Sequence, residues 1–317
     1  MTKSRRSRLG FGALMIGLPA SAAAIAAGQA LASPAPDPPR IHPQSRHVAY
    51  GQDVIVHGAA SASDAGHTVE LQFAPRGATV WSRLGSSTVG STGAFRVAGR
   101  LERSGAVRVV DASDGSVTPF VAGANTGSGG ATSSAVPVDV AARVRVPARR
   151  ISVLGGHAVR VRGRLLPAVS GRKVTLQARQ GGAWHTLAAA RTGSAGRFAL
   201  RYVAGNPGQE PIRVRFAGDR LNGRSTAHAG QMTIYREAGA SWYYDGGNTA
   251  CGFHARYGVA NRTLPCGTKV AFRYGGRSVT ATIDDRGPFV GGRDWDLSQS
   301  TAGALGFGGV GTVWSSQ

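Results

Sequence analysis

The feature that most restricts the fold of this chain is an internal repeat. Gly51-Gln-Asp-Val-Ile-Val-His-Gly58 resembles Gly156-His-Ala-Val-Arg-Val-Arg-Gly163, and Val69-Glu-Leu-Gln72 resembles Val174-Thr-Leu-Gln177. Trp81 and Trp184 are 103 residues apart, as are Phe95 and Phe198. Such a repeat is one folded unit used twice, and each copy has to close a core of its own. Within both copies apolar and polar residues alternate, as at Val54 and Val56 or Val159 and Val161. Period two sends successive side chains to opposite faces of a strand, so these runs predict strands buried on one side. Breaks rich in glycine and serine supply the turns between them.

Short strands of this kind pack as two sheets. The expectation is a β-sandwich over residues 40–141 and a second over 142–236, resembling the immunoglobulin-like modules of bacterial surface proteins. Gly123 to Ser134 reads as a long loop within the first copy. Val136-Pro-Val-Asp-Val140 then supplies that copy's last strand, as Met232-Thr-Ile-Tyr235 does in the second. Trp81 and Trp184 are expected in the cores, the commoner place for a repeated tryptophan in a sandwich; stacking on sugars is the alternative.

The N-terminus sets the compartment. Lys3, Arg5, Arg6 and Arg8 precede an apolar stretch from Leu9 to Ala27, and Ala30-Leu31-Ala32 reads as a cleavage site. Residues 1–32 are therefore predicted to be a signal peptide, and the protein to be secreted into the cell envelope without a stable membrane anchor. The stretch is mostly alanine and glycine with Pro19 inside, a weak hydrophobe for crossing a core of ~30 Å. Charge is distributed unevenly. The chain carries +21; residues 33–236 hold 26 basic and 10 acidic side chains, net +16, while from Glu237 onward there are 7 and 6, net +1. A basic surface attracts polyanions, so anionic wall polymers are candidate partners of the two sandwiches, with solubility alone as the other reading. No nucleic-acid-binding motif is present, and nucleic acid is not an expected partner. Cys251 and Cys266 are the only cysteines, and in an oxidising compartment they are expected to form a disulfide. With His254 they fall short of a closed zinc site, so neither metal nor cofactor is expected.

From Ala240 the texture changes. Ala240-Ser-Trp-Tyr-Tyr244 is followed by Asn261-Arg-Thr-Leu-Pro-Cys-Gly-Thr-Lys-Val270, then by an alternating run, Arg277 to Ile283, that ends in Asp284-Asp-Arg-Gly-Pro-Phe-Val290. Trp295-Asp-Leu-Ser298 runs into a short helical turn at Ala302-Gly-Ala-Leu-Gly306, capped by Asp296 or Ser298. These four motifs, in this order, resemble the RlpA-like double-psi β-barrel family, from Ala240 to about Ser316. The resemblance implies a six-stranded barrel over 238–317, related to expansins, with a groove for a peptidoglycan glycan strand. The whole chain is then all-β: two immunoglobulin-like sandwiches followed by the double-psi barrel. Some members of the family are lytic transglycosylases, which cleave peptidoglycan without water and leave an anhydro sugar. One carboxyl suits that chemistry, as acid toward the glycosidic oxygen and then as base toward the sugar's own hydroxyl. A second carboxylate to activate water is not needed.

By the resemblance the acid is Asp285, the aspartate of the family's N-D-R-G-P motif, and Asp296 is a second carboxyl in the same groove. Asp284 is expected on the opposite face, since successive strand residues point opposite ways. Trp242, Tyr243 and Tyr244 are candidates for stacking on sugar, and alternation exposes only one or two of them. Ser241 and Asn261 are candidate hydrogen-bonding groups, and Arg286 a partner for Asp296 or for a substrate carboxylate. Active members of the family carry a Glu and a His where this chain has Phe253 and Asn261. Two readings stay open for that reason: a lytic transglycosylase using Asp285, and an expansin-like protein that binds or loosens wall glycan without cutting it.

Overall fold

The computed structural model describes residues 37–113 and 130–317; the predicted signal peptide and most of the loop expected at 123–134 lie outside them. In the first repeat, strands Arg40–Pro43, Asp53–Ala59 and Ala94–Arg100 form a three-stranded sheet. His47–Ala49, Val136–Ala141, Gly105–Asp111, Thr68–Pro75 and Ser82–Thr88, in that spatial order, form a five-stranded one. Alternation brings Val54, Val56, Leu71, Phe95, Val107 and Val109 together in one apolar core.

The second repeat copies this arrangement strand for strand. Arg197–Val203, Ala158–Leu166 and Arg143–Arg145 make the small sheet. The large one holds Ala183–Arg191, Lys173–Gln180, Gly208–Phe216 and the long strand Ser225–Tyr243, with Arg149–Leu154 beside it. Irregularities recur as well: a β-bulge after Leu71 in one copy is matched by one after Leu176 in the other.

Neither repeated tryptophan is in a core, contrary to the expectation from sequence. Trp81 and Trp184 are half-buried, each beneath an arginine whose guanidinium carbon lies 4.3 Å (Arg108) or 4.0 Å (Arg213) from the ring centroid. Gln72 and Gln177 accept from Nε of those arginines at 3.0 and 2.9 Å. The reason is parity. Val107, Val109, Ile212 and Val214 take the inward positions, which leaves Arg108 and Arg213 outside, where a planar guanidinium covers an aromatic face.

Strand Ser225–Tyr243 joins the second sandwich to the C-terminal part. From Ser225 to Ile234 it pairs with Gly208–Phe216; from Arg236 to Tyr243 it pairs with Gly311–Ser315 and Trp295–Ser298. The boundary expected at 236–238 thus falls inside one continuous strand. From there a ring closes through Trp295–Ser298, Gly258–Ala260, Arg277–Asp285, Lys269–Tyr274 and Gly311–Ser315, back to the long strand. Closure of these six strands leaves no unpaired edge. Phe272, Ile283, Trp295 and Leu297 fill the interior, with the Phe272 and Trp295 rings edge-on at 5.1 Å. Helix Gln299–Leu305 adds Ala302 and Leu305 to that core. Of the two caps expected for it, Ser298 serves, its side chain accepting from the Thr301 N–H, and Gly306 at φ 68° ends the helix. Among the described residues no helix is long and apolar enough to cross a membrane.

Two tryptophans in different settings should respond differently to truncation. Trp295→Ala empties a fully buried site and should cost about 3–5 kcal/mol in urea unfolding. Trp184→Ala removes a partly exposed stack and should cost less than about 2 kcal/mol.

Candidate functional site

A bulge in the barrel wall builds the site. Gly258–Ala260 and Arg277–Asp285 run parallel, with Gly258 opposite Thr282 and Val259 opposite Ile283, yet Ala260 lies opposite Asp285. Asp284 is the extra residue. Strict alternation from Ala281 and Ile283, both in the core, would turn Asp285 inward; the bulge re-aims it to the outside. Across the next strands Ala260 is opposite Asp296, and Asp296 is opposite Ser241. Asp285, Ala260, Asp296 and Ser241 therefore form one row over four strands on the outer wall, while Ile283, Val259, Leu297 and Ala240 beside them point into the core. Two strand spacings, roughly 10 Å, separate the backbones that carry the two aspartates. Ala260, small and buried, lies between them. Ser241 Oγ donates to Asp296 Oδ1 at 2.8 Å.

Tyr243 follows Ser241 by two residues and shares its face, half-buried. Burial raises the pKa of its phenol, and the carboxylates of Asp284, Asp285, Asp245 and Asp296 raise it further. It therefore remains a neutral hydroxyl, a hydrogen-bond donor among acids. Asp245 accepts from the backbone N–H of Ser300 at 2.9 Å and from its hydroxyl. Burial pushes the Asp245 carboxyl up, but these bonds outweigh it and hold the group below the usual range.

The two consecutive aspartates have opposite roles. Asp285 Oδ1 accepts from the N–H groups of Ala250 and Arg286, both at 2.8 Å. Its Oδ2 makes no hydrogen bond within the described residues, so one oxygen orients the carboxyl. Asp284 is 2% exposed; its Oδ2 accepts from the Ala255 N–H at 2.9 Å, and its buried Oδ1 meets no full hydrogen-bond geometry among the described residues. Burial raises the Asp284 pKa against the pull of the Ala255 and Val259 N–H groups. Gly258 makes room for it, since a Cβ there would stand 2.2 Å from Asp284 Oδ2. Between them the aspartates grip the loop at 250–255. The same loop is tied by a Cys251–Cys266 disulfide, S–S 2.01 Å, and by the Cys251 N–H on the Asp284 carbonyl.

Other residues singled out by sequence are engaged elsewhere. Asn261 Oδ1 accepts from the N–H groups of Thr263 and Leu264 at 3.1 and 2.9 Å, and its Nδ2 donates to the Asp294 carbonyl at 3.2 Å. The oxygen end of that amide holds the turn, and the nitrogen end ties it to the segment at Asp294. Arg286 Nη1 donates to the Asn261 carbonyl at 3.3 Å, and Nη2 lies 3.2 Å from Cys266 Sγ; no ion pair joins it to Asp296 within the described residues. Trp242 packs toward the barrel core, its ring edge-on to Tyr244 at 4.9 Å. Tyr244, Phe253, Phe289 and Val290 are exposed. Sequence reading does not single out Asp245, although the period-two series Ser241, Tyr243, Asp245 points to it; the bulge at Asp284 has no such signal. Among the described residues no cluster of three or more His, Cys, Asp or Glu is arranged to hold a metal ion.

Residues 236–314 match the protein-family model described as "Lytic transglycolase". Over 126 residues the chain is 42% identical to a protein of Synechocystis sp. named "Probable endolytic peptidoglycan transglycosylase RlpA"; the match takes in 36% of this chain and 38% of that protein. Among solved structures, the D0-D1 domain of intimin aligns with 61% of this chain and 97% of its own, at 13% identity and a TM-score of 0.23. A structure of the bacterial superantigen toxic shock syndrome toxin-1 aligns with 29% of this chain and 98% of its own, at 13% identity and a TM-score of 0.25. Scores that low bear no weight for the fold. The C-terminal barrel is an RlpA-like double-psi β-barrel, the part that the lytic transglycolase family model matches, and the sandwiches lie outside that match.

The buried aspartate has a consequence for stability. A carboxyl whose pKa is raised on folding loses stability as pH rises from the unfolded pKa through the folded one. Asp284→Asn should therefore gain on the wild type in denaturant unfolding at neutral pH, with the gap closing as pH falls toward about 4. Gly258→Ala, which drives a methyl group into Asp284, should cost about 1–3 kcal/mol in the same assay.

Proposed function

We propose that the protein is exported through residues 1–32 and acts on peptidoglycan glycan strands as a lytic transglycosylase, with Asp285 as the acid and then the base. One observation carries this reading: Asp285 is turned out by the bulge, with one oxygen held by two N–H groups and the other without a bond. Protonated Asp285 gives its proton to the bridging oxygen as the glycosidic C–O bond breaks. A hydroxyl of the same sugar then attacks the oxocarbenium carbon and returns its proton to Asp285, so no water is consumed. Asp296, steadied by Ser241, supplies negative charge near the developing cation. Tyr243 offers a neutral hydroxyl to the sugar, and exposed Tyr244, braced by Trp242, offers an aromatic face.

A second reading is an expansin-like protein that grips glycan without cleaving it. It draws on Phe253, an exposed ring where active family members carry Glu, and on Asn261, whose amide is committed to its own turn and to the Asp294 carbonyl.

Analysis of the muropeptides released from purified sacculi separates the two. As an enzyme, the wild type liberates anhydro products, and Asp285→Asn lowers the rate by about 100-fold or more while still sedimenting with sacculi. As a binder, the wild type liberates none, and sedimentation survives Asp285→Asn but is lost with Tyr244→Ala.

A further inference from the structure

The small sheet of the second sandwich turns a face of arginine outward. Val159, Val161, Leu165, Val144, Phe198 and Leu200 take its inward positions, and by alternation the outward ones fall to Arg160, Arg162 and Arg164 on the central strand. Arg143 and Arg145 flank them on one side, and Arg197 and Arg201 on the other. All seven are exposed. Cross-strand register aligns them: Arg201 is opposite Arg160, and Arg197, Arg164 and Arg145 stand in one row.

Like charges directly opposite one another destabilise a sheet, so this pattern works against the fold. No compensating acid lies within it. Residues 142–235 contain seventeen arginines and lysines against two acids, Glu210 and Asp219. Asp219 is taken by Arg172 at 2.8 Å, and Glu210 accepts from Gln180 at 2.6 Å. None of the seven arginines joins an ion pair among the described residues. Glu102 of the first sandwich accepts from the Tyr50 hydroxyl at 3.3 Å, and no ion pair joins it to the face among the described residues. At one corner, Arg160 and Arg162 line a cleft of about 310 Å³ together with Arg149, Pro147 and Ile151.

We infer that this face binds a linear phosphodiester polymer. Guanidinium forks match phosphate oxygens in pairs. Arg160, Arg162 and Arg164 follow each other at about 7 Å, two residues of strand. A glycerol phosphate repeat, six bonds long, extends to about the same length as two backbone residues, which together also span six bonds. The face has no aromatic side chain among its outward residues for bases to stack on, and Val203 is its single exposed large apolar group, too little to enter a bilayer. This attachment is separate from the barrel.

The test uses the full chain and fluorescent poly(glycerol phosphate), with binding followed by anisotropy. Wild-type affinity should fall as salt rises. The triple change Arg160→Gln, Arg162→Gln and Arg164→Gln should weaken binding about tenfold or more. The triple change Arg179→Gln, Arg191→Gln and Arg215→Gln, which removes equal charge from the opposite sheet, should weaken it less than about threefold. Equal losses in the two triples would reduce the effect to net charge and overturn the inference, as would an affinity indifferent to salt. Equal or tighter binding to polygalacturonate or to phosphatidylglycerol vesicles would overturn it as well. Because the probe contains no glycan strand, failure here leaves the reading of Asp285 intact, and failure there leaves this face intact.

Discussion

Strand Ser225–Tyr243 belongs to two sheets at once, and the rest of the molecule is arranged around that fact. Its first half completes the second sandwich and its second half is a stave of the barrel. Where it changes allegiance, Tyr235 packs on Trp314 at 6.0 Å, and Arg236 reaches the Gln317 carbonyl at 2.7 Å and Asp294 at 3.3 Å. Ser241 and Tyr243 are simply its last outward positions. Their place on the barrel wall is set where this half pairs with Trp295–Ser298.

On this frame a single inserted residue decides which of two carboxyls faces outward. Without the bulge at Asp284, two adjacent aspartates would face opposite ways, one in the core and one outside, with the wrong one available. With it, Asp285 joins Asp296 and Ser241 on one face, and the buried carboxyl becomes a bracket for the loop at 250–255. An ionisable group without full hydrogen bonding is costly to bury. The disulfide and the backbone bonds from Cys251 and Ala255 are what hold that arrangement in place.

The repeat and the period-two runs made the paired sandwich architecture legible from sequence, and motif order made the barrel legible. What escaped was decided by parity and register. Trp81 and Trp184 look like core residues by type, but their neighbours Val107 and Ile212 had already filled the inward positions, which no count of tryptophans reveals. Asp285 was legible by its motif, whereas the reason it faces outward lies in pairing with Ala260, a contact between distant segments. Asn261 and Arg286 were read as groove-lining by type; local turn bonds claim one, and carbonyl oxygens and a sulfur claim the other. The arginine face was hidden differently, because residues scattered over sixty positions become one surface only when three strands are laid side by side.

The uninterrupted strand also has a mechanical meaning. If the arginine-bearing sandwich is fastened to one polymer while the barrel holds another, tension between them runs along a single backbone with no slack segment to pay out. The ladders on both halves are then loaded in shear, many hydrogen bonds together, rather than peeled apart one at a time. Such a strand would act as a strut, carrying load directly from one part to the other.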